Sequence, residues 1–182
     1  MILTILSFFA FLLLAVGILR NGKVANLLEN TFSIIIACRN EEKNLPFLFS
    51  ALQKIDYPPE KYEIILVDDA SSDNSLSLIK KFCETSENAY FIHLPIKDEE
   101  FKGKKAALQK AAEKAKYDFL LFTDADCIVP ENWLKTYNNY IDSEVGMVVG
   151  YYKNADDSHF RIFLQLMTAA IFAASVGLGF PF

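Results

Sequence analysis

Two stretches of sequence decide the fold: FSIIIACRNEE at residues 32–42 and YEIILVDDASSD at residues 62–73. Each begins with a short apolar run rich in β-branched residues, the pattern of a strand that is buried on both faces. Each run passes directly into acidic and polar residues, which are common in turns and at helix starts. We therefore predict two buried strands, Phe32–Ala37 and Tyr62–Val67, each followed by a polar loop.

Helix signals separate these strands from one another and from the strands that follow. The further predicted elements are a helix from the cap Asn44 to about Lys54, a helix that Asp73 can cap and that runs to about Cys83, a strand at Ala89–His93, an Ala/Lys-rich helix at Lys104–Lys116, a strand at Phe119–Thr123, a helix opened by Pro130, and a strand at Val145–Tyr151. Strands that alternate with helices predict an α/β fold with a mainly parallel sheet and helices on both faces.

The amino-terminal segment has the composition of a membrane anchor. No charged residue interrupts Met1–Leu19, and about 20 apolar residues span a bilayer as a helix. Arg20 and Lys23 follow at once, which by the positive-inside rule keeps the rest of the chain in the cytoplasm. We predict a single anchor at residues 1–22 in the cell membrane, with the globular domain on the cytoplasmic side. A cleaved signal peptide and a buried core helix are the alternatives.

A second apolar segment, Phe160–Phe182, lies at the carboxyl end and contains Arg161 and Gln165. We interpret residues 158–182 as an interfacial helix or as core that packs against a further domain half, with a second membrane span as the alternative. Between the two apolar ends, residues 31–157 have the composition of one globular domain.

Charge and cysteine content exclude some classes of protein. The 182 residues carry a net charge of −5, and this acidic balance argues against nucleic acid as a partner. The three cysteines, Cys38, Cys83 and Cys127, lack metal-ligand spacing and are predicted to be buried thiols in a reducing cytosol. His93, at the end of a predicted strand, is interpreted as a structural residue.

Acidic and basic residues collect where the predicted strands end. In parallel sheets ligands bind beyond the carboxyl ends of the strands, and the triplet Asp124-Ala125-Asp126 follows the strand 119–123 directly. Its two carboxylates are hard oxygen ligands that suit Mg²⁺ or Mn²⁺. Lys104, at the start of the Ala-rich helix, is placed to meet phosphate. Each feature taken alone also fits an ordinary turn, helix cap or solvated loop.

Four motifs in one order resemble the family 2 glycosyltransferases, which have the GT-A fold, a Rossmann-like α/β architecture. The motifs are IIIACRNEE at 34–42, VDDASSD at 67–73, GKKAAL at 103–108 and TDADC at 123–127. The resemblance covers residues 31–151. It implies transfer of a sugar from a nucleotide-diphospho-sugar, with UDP as the expected nucleotide, and inversion at the anomeric carbon.

The resemblance also implies roles for individual residues. The turn with Ala37, Arg39 and Glu41 would frame the nucleotide. One aspartate of the pair Asp68-Asp69 would hydrogen-bond the base, and Lys104 would lie near the diphosphate. At the D-x-D triplet, Asp124 would face the ribose or the sugar, and Asp126 would bind the Mg²⁺ or Mn²⁺ ion, with Asp124 beside it.

The sequence departs from the family downstream of the D-x-D triplet. An inverting displacement needs a base for the acceptor proton, and the family's later acidic motif and its Q-x-x-R-W segment are absent. No Asp or Glu follows Asp157. The alternative hypothesis is therefore a catalytically incomplete module that binds nucleotide sugar at the membrane, completed by a partner chain that supplies the acceptor half.

Overall fold

A computed structural model describes residues 29–95, 103–141, 146–148 and 150 of the chain. The chain divides into two compact units, one made of Asn26–Asn139 and one made of Met1–Ala25 together with Tyr140–Phe182. Every helix and strand of the described residues lies in the first unit.

The unit alternates strands and helices along the chain. Its elements are β1 (Phe32–Cys38), α1 (Leu45–Leu52), a 3₁₀ turn (Pro59–Lys61), β2 (Tyr62–Asp69), α2 (Ser75–Thr85), β3 (Ala89–Leu94), α3 (Lys104–Ala112), β4 (Phe119–Asp124) and α4 (Trp133–Asn138). The four strands form one parallel sheet in the order β3-β2-β1-β4. All four carboxyl ends therefore meet at one edge of the sheet, as the sequence predicted.

Helices cover both faces of this sheet. On one face, Ala107 and Ala111 of α3 pack against Ile35 and Ile65 in a buried apolar cluster. Neighbouring strand residues point to opposite faces, so the wholly buried Ile34 lies on the other face. There α2 contacts β2 and β3, and α1 contacts α2. Burial on both faces explains why β1 and β2 read as continuous apolar runs rather than alternating ones.

Four of the five predicted strands are confirmed to within two residues at their ends, while some helix starts and ends differ. The Ala/Lys-rich helix ends at Ala112 rather than Lys116, because the chain leaves it to bond to the sheet. The backbone N–H of Lys116 donates to Glu63 at 2.6 Å, and that of Tyr117 donates to Ser33 Oγ at 3.1 Å. These tertiary hydrogen bonds outweigh helix propensity, which is a weak prior.

Two predicted caps are wrong in detail. Asn44 occupies the N-cap position of α1, but its side chain donates to Glu41 Oε2 at 2.7 Å instead of capping the helix. The N-cap residue of α2 is Asn74 rather than Asp73. The Asp73 carboxylate still accepts the N–H of Ser75, the first residue of α2, at 3.0 Å. It therefore bonds to the start of the same helix from the position before the N-cap.

The helix predicted to open at Pro130 begins at Trp133, because a turn in which the Pro130 carbonyl accepts the Trp133 N–H at 3.0 Å comes first. The predicted strand Val145–Tyr151 is not found where it can be checked, because residues 146–148 and 150 form no strand; its other three residues lie outside the described part of the chain. The predicted anchor at 1–22 and the segment 158–182 also lie outside them. Within the described part of the chain, no helix is long and apolar enough to cross a membrane.

Candidate functional site

The carboxyl edge of the sheet collects the charged residues that the motifs singled out. Arg39 follows β1, Asp68 and Asp69 end β2, and Asp124 ends β4. Lys104 is the first residue of α3, the helix that covers β1 and β2 on one face. The sheet order places β1 between β2 and β4, so these residues occupy three neighbouring strand ends.

Arg39 and Asp69 form an ion pair across the ends of β1 and β2. Arg39 Nη1 lies 3.7 Å from Asp69 Oδ2, with the arginine side chain 62% exposed and the aspartate side chain 12% exposed. An exposed arginine can turn its remaining N–H groups to a ligand while it screens the aspartate charge. Asp69 keeps part of its carboxylate at the surface, where a hydrogen-bond donor of a ligand can reach it.

The loops after β1 and β2 are joined by a set of hydrogen bonds, here called the interloop clamp. The backbone N–H groups of three consecutive residues after β1 donate to side chains after β2: Asn40 to Ser71 Oγ at 3.0 Å, Glu41 to Ser75 Oγ at 2.8 Å and Glu42 to Asp73 Oδ2 at 3.2 Å. In return, Asn40 Oδ1 accepts the N–H of Ser72 at 2.8 Å, and Glu42 Oε2 accepts the N–H of Asn74 at 3.1 Å.

The interloop clamp requires two unusual backbone conformations. Asn40 and Ala70 have φ of 56° and 53°, the left-handed region that residues other than glycine rarely adopt. Asparagine tolerates this region well, whereas alanine adopts it at some cost. The clamp holds both turns in these conformations and so fixes the polar rim that the two loops form above β1 and β2.

Asp68 differs from its neighbour because it is completely buried. His93 Nδ1 lies 2.8 Å from Asp68 Oδ2, and the backbone N–H of Ser71 reaches the same oxygen at 3.4 Å. Within the described residues, Oδ1 of Asp68 has no hydrogen-bond partner. The two adjacent aspartates therefore face different surroundings: Asp69 faces the rim and Asp68 faces the interior.

Lys104 and Asp124 form a second ion pair at the site. Lys104 Nζ donates to Asp124 Oδ1 at 2.5 Å, and both side chains are more than half exposed. Asp124 is in register with Ala37 of β1, another predicted site residue, which is half-buried against the cluster under α3. Glu41, the remaining predicted site residue, lies in the loop after β1 and accepts a hydrogen bond from Asn44.

The D-x-D triplet leaves both carboxylates accessible. Ala125 is buried, which fixes the turn, while Asp124 and Asp126 are exposed on either side of it. Among the described residues, no three acidic, His or Cys side chains are grouped so as to hold a metal unaided. The donor set fits a cation that takes one or two carboxylates and completes its shell with substrate phosphates, as Mg²⁺ commonly does.

Sequence reasoning did not predict which contacts these residues make. The Asp68–His93 contact depends on the register of β2 and β3, in which the two residues stand directly opposite each other. The clamp depends on how two loops approach in space. The contact between His93 and Asp68 could have been predicted from one feature of the sequence. His93 is the penultimate residue of its strand, and that strand ends at the same edge of the sheet as the strand of Asp68.

Comparison with known proteins identifies the class. The sequence profile described as "Glycosyl transferase family 2" matches residues 33–174. That range includes all four motifs and the whole sheet except Phe32, the first residue of β1. The chain belongs to glycosyl transferase family 2.

Curated relatives come from both bacteria and archaea. The chain is 34% identical over 120 residues to the poly-beta-1,6-N-acetyl-D-glucosamine synthase of Staphylococcus aureus, a match that covers 65% of this chain and 27% of that protein. It is 31% identical over 103 residues to glycosyltransferase AglE of Haloferax volcanii, covering 57% of this chain and 33% of AglE. The matches therefore span about a third or less of each relative.

Solved structures share the fold. TarS 1–349 of S. aureus in complex with UDP-GlcNAc matches with a TM-score of 0.52 and 29% identity, covering 59% of this chain and 30% of TarS. The mannosyltransferase PcManGT of Pyrobaculum calidifontis, in complex with GDP-Man and Mn²⁺, matches with a TM-score of 0.61 and 24% identity, covering 71% of this chain and 38% of that one. The α/β sheet described above is therefore of the GT-A kind.

Proposed function

We propose that this chain carries the donor-binding half of an inverting glycosyltransferase, which takes a sugar from a UDP-linked donor with the help of Mg²⁺ or Mn²⁺. The observation that carries the proposal is the pairing of opposite charges at neighbouring strand ends. Arg39 with Asp69 and Lys104 with Asp124 together offer both donors and acceptors to one ligand.

The spacing of these two pairs suits an extended nucleotide. The aspartate of one pair, Asp69, ends β2, and the aspartate of the other, Asp124, ends β4. These two strands lie two strand spacings apart in the sheet, which is about 10 Å. A ligand that spans this distance crosses the end of β1, where Ala37 presents only a methyl group and leaves room. Asp69 would take the base at one end, and Asp124 with Lys104 would meet the ribose and diphosphate at the other.

A uracil base fits the Asp69 end of the site. A carboxylate accepts the ring N–H that uracil carries, and Asp69 rather than the completely buried Asp68 has surface left to do so. The structural neighbour TarS, at 29% identity, was solved with UDP-GlcNAc, which supports a UDP-linked donor for this chain as well. The sugar that it carries would be set by contacts beyond the described residues.

The acidic chain needs cations to hold a polyanionic donor. Asp126, with Asp124 beside it, would hold the metal through carboxylate oxygens that lie exposed at the turn after β4. When bound, such an ion neutralises the charge that grows on the diphosphate as the sugar leaves. Lys104 would add a second positive charge at the same place, and stabilisation of this kind is a major source of rate in transfer reactions.

The acceptor side of the reaction would use residues outside this site. A base for the acceptor proton would come from a region like the two thirds of the relatives that the match does not cover, or from a partner chain. The second candidate function is a nucleotide-sugar-binding module that performs no transfer by itself, and a partner chain would then supply this base. We further propose that residues 1–22 anchor the chain in the cell membrane with the donor site in the cytoplasm.

The proposal is tested by calorimetric titration of UDP into the detergent-solubilised chain, with and without Mn²⁺. We expect binding only when the metal is present, and loss of binding in Asp126→Asn. The matched control is Asp118→Asn, which removes an exposed carboxylate from the opposite, amino end of β4. Binding of UDP in the folded wild type without metal, or equal binding in both variants, would contradict the metal site.

The two candidate functions separate in a second assay. Radiolabelled UDP-sugars are incubated with the chain, and both transfer to added acceptors and hydrolysis to UDP are measured. Transfer by the chain alone supports the complete enzyme. UDP binding without any turnover supports the binding module that a partner completes.

A further inference from the structure

We propose that His93 is a positioning residue of the donor site, which acts on Asp69 through the buried carboxylate of Asp68. The effect on ligand binding rests on the function proposed above, whereas the effect on the loop does not. His93 lies on β3, outside every motif that marks the family in this sequence.

The geometry begins with a row of three residues across the sheet. Cys38, Asp68 and His93 stand in register on β1, β2 and β3, so their side chains share one face of the sheet. Cys38 is 1% exposed and Asp68 is completely buried. The His93 side chain is 42% exposed, and its Nδ1 lies 2.8 Å from Asp68 Oδ2. The row therefore leads from the interior to the surface and ends at His93.

His93 is the principal partner of this buried carboxylate. Burying a charged group costs free energy unless the group is paired. Removing its partner therefore destabilises the folded state, because an uncompensated charge stays buried. In the described residues the other contact to Asp68 is the longer hydrogen bond from the Ser71 N–H, at 3.4 Å, and Oδ1 has none. An ionised carboxylate can only accept a hydrogen bond. Asp68 therefore selects the His93 tautomer that carries its proton on Nδ1.

The Asp68 carboxylate in turn holds the turn that presents Asp69. Its Oδ2 accepts the Ser71 N–H and closes a turn in which Ala70 has a φ of 53°. Asp69, between them, points to the opposite face of the strand, toward Arg39. Ser71 is also part of the interloop clamp, because its Oγ accepts the Asn40 N–H at 3.0 Å. A displaced Asp68 would therefore shift both Asp69 and the clamp.

Distance argues against a direct catalytic role for His93. A histidine with an aspartate at one ring nitrogen is also the arrangement of a general base. However, β3 and β4 lie at opposite edges of the four-stranded sheet, three strand spacings or about 14 Å apart. A base must approach to about 3 Å of the proton that it takes. His93 is too far from the D-x-D turn for that, so its role is to position.

Substitutions that keep or remove the Nδ1 donor test the proposal. His93→Asn places an amide N–H near the position of Nδ1, while His93→Leu keeps the size and removes the donor. If His93→Leu does not fold, His93→Gln, whose amide falls near the Nε2 position instead, takes its place. The control is Tyr90→Phe, which deletes a hydrogen bond to Lys114 from the other end of the same strand.

The first readout needs no ligand. Backbone amide NMR shifts of Ser71 and Asn40 should move in His93→Leu, and should stay near their wild-type values in His93→Asn and Tyr90→Phe. Imidazole nitrogen shifts should identify the Nδ1–H tautomer of His93. Unmoved Ser71 and Asn40 shifts in His93→Leu, or an Nε2–H tautomer, would overturn the positioning role.

The second readout is the affinity for UDP with Mn²⁺, measured by calorimetry. We expect about a tenfold loss in His93→Leu, which corresponds to about 1.4 kcal/mol, and recovery to within about threefold in His93→Asn. Equal affinity in His93→Leu and wild type would overturn the link to the ligand. If the wild type itself binds no UDP, the proposed function fails, and the amide shifts still decide whether His93 holds the loop.

Discussion

Lys104 Nζ donates a 2.5 Å hydrogen bond to Oδ1 of Asp124, which joins the first residue of α3 to the last residue of β4. Asp124 is one of the two carboxylates that we propose for the metal, and Lys104 is the residue that we propose for the diphosphate. The two groups pair with each other. If a metal ion and a diphosphate bind together, Asp124 would pair with the metal ion and Lys104 with the diphosphate. Two charge pairs would then replace the one between Lys104 and Asp124.

This relationship predicts opposite effects of Lys104→Met on two ligands. Binding of Mn²⁺ alone should become equal or up to about threefold tighter, because an exposed ion pair contributes only about 0–1 kcal/mol and its lysine no longer competes for Asp124. Binding of UDP with Mn²⁺ should weaken at least about tenfold, since a charge-assisted contact to phosphate is worth more than that. Manganese is followed by electron paramagnetic resonance and UDP by calorimetry.

Lys105→Met is the matched control for this experiment. It removes the same charge from the neighbouring exposed residue of α3. If Lys105→Met weakens UDP binding as much as Lys104→Met does, the effect comes from the overall field of the chain. The specific contact between Lys104 and the diphosphate would then be disproved.

The sequence predicted the parts of this site but not how they are paired. Strands β1 and β2 could be read from their β-branched runs, because burial on both faces leaves a continuous apolar signature. Their polar ends could be placed at one edge, because the strands are parallel. The pairing of Arg39 with Asp69 and of His93 with Asp68 depends on strand register and loop approach. Packing of the whole sheet sets both, and no local pattern encodes them.

Asp73 should make stability depend on pH. Its partial burial raises the pKa, but hydrogen bonds from Ser75, Glu42 and its own backbone outweigh this and lower the pKa below 3.8. A carboxyl group with a lowered pKa stabilises the folded state above its unfolded-state pKa, and the stabilisation is lost as the pH falls through the folded-state value. Asp73→Asn should therefore lower the free energy of unfolding at pH 7, with a difference that shrinks below about pH 4.

The measurement for Asp73 is urea denaturation of wild type and variant between pH 3 and pH 7. Asp118→Asn serves again as the control, because Asp118 is exposed and lies away from the interloop clamp. A difference between wild type and Asp73→Asn that stays constant down to pH 3 would show that the clamp does not depend on the ionised carboxylate.

The three free thiols should react at very different rates. Burial, followed by the charges of Asp68 and Glu41, raises the pKa of the Cys38 thiol to about 12, and burial raises that of Cys83 to about 11. The thiolate is the reactive form, so both should resist iodoacetamide at pH 8 in the folded chain. The partly exposed Cys127, beside the D-x-D turn, should be modified first.

Peptide mass spectrometry after timed alkylation gives the three rates. The control is the same reaction in guanidinium chloride, where all three cysteines should react alike. Rapid modification of Cys38 in the native chain would mean that the row Cys38, Asp68 and His93 opens readily, and it would weaken the case for a fixed Asp68.

Ala70 provides a test of how much the turn conformation matters. At a φ of 53° an alanine bears a cost of about 1 kcal/mol that glycine does not, while glycine adds about 0.4–1 kcal/mol of unfolded-state entropy. These effects nearly cancel, so Ala70→Gly should change the free energy of unfolding by less than about 1 kcal/mol. Ala70→Val should lower it by at least about 1 kcal/mol, because a β-branched side chain is a poor fit to this region.

Ala51→Gly, in the last turn of α1, sets the scale, because glycine within a helix costs up to about 1 kcal/mol relative to alanine. Urea denaturation measures all three variants, and UDP titration with Mn²⁺ follows for those that fold. Ala70→Gly leaves stability nearly unchanged yet frees the turn between Asp68 and Ser71, so it should weaken UDP binding more than Ala51→Gly does. Equal UDP affinities in the two glycine variants would mean that Asp69 does not depend on a rigid turn to meet the nucleotide.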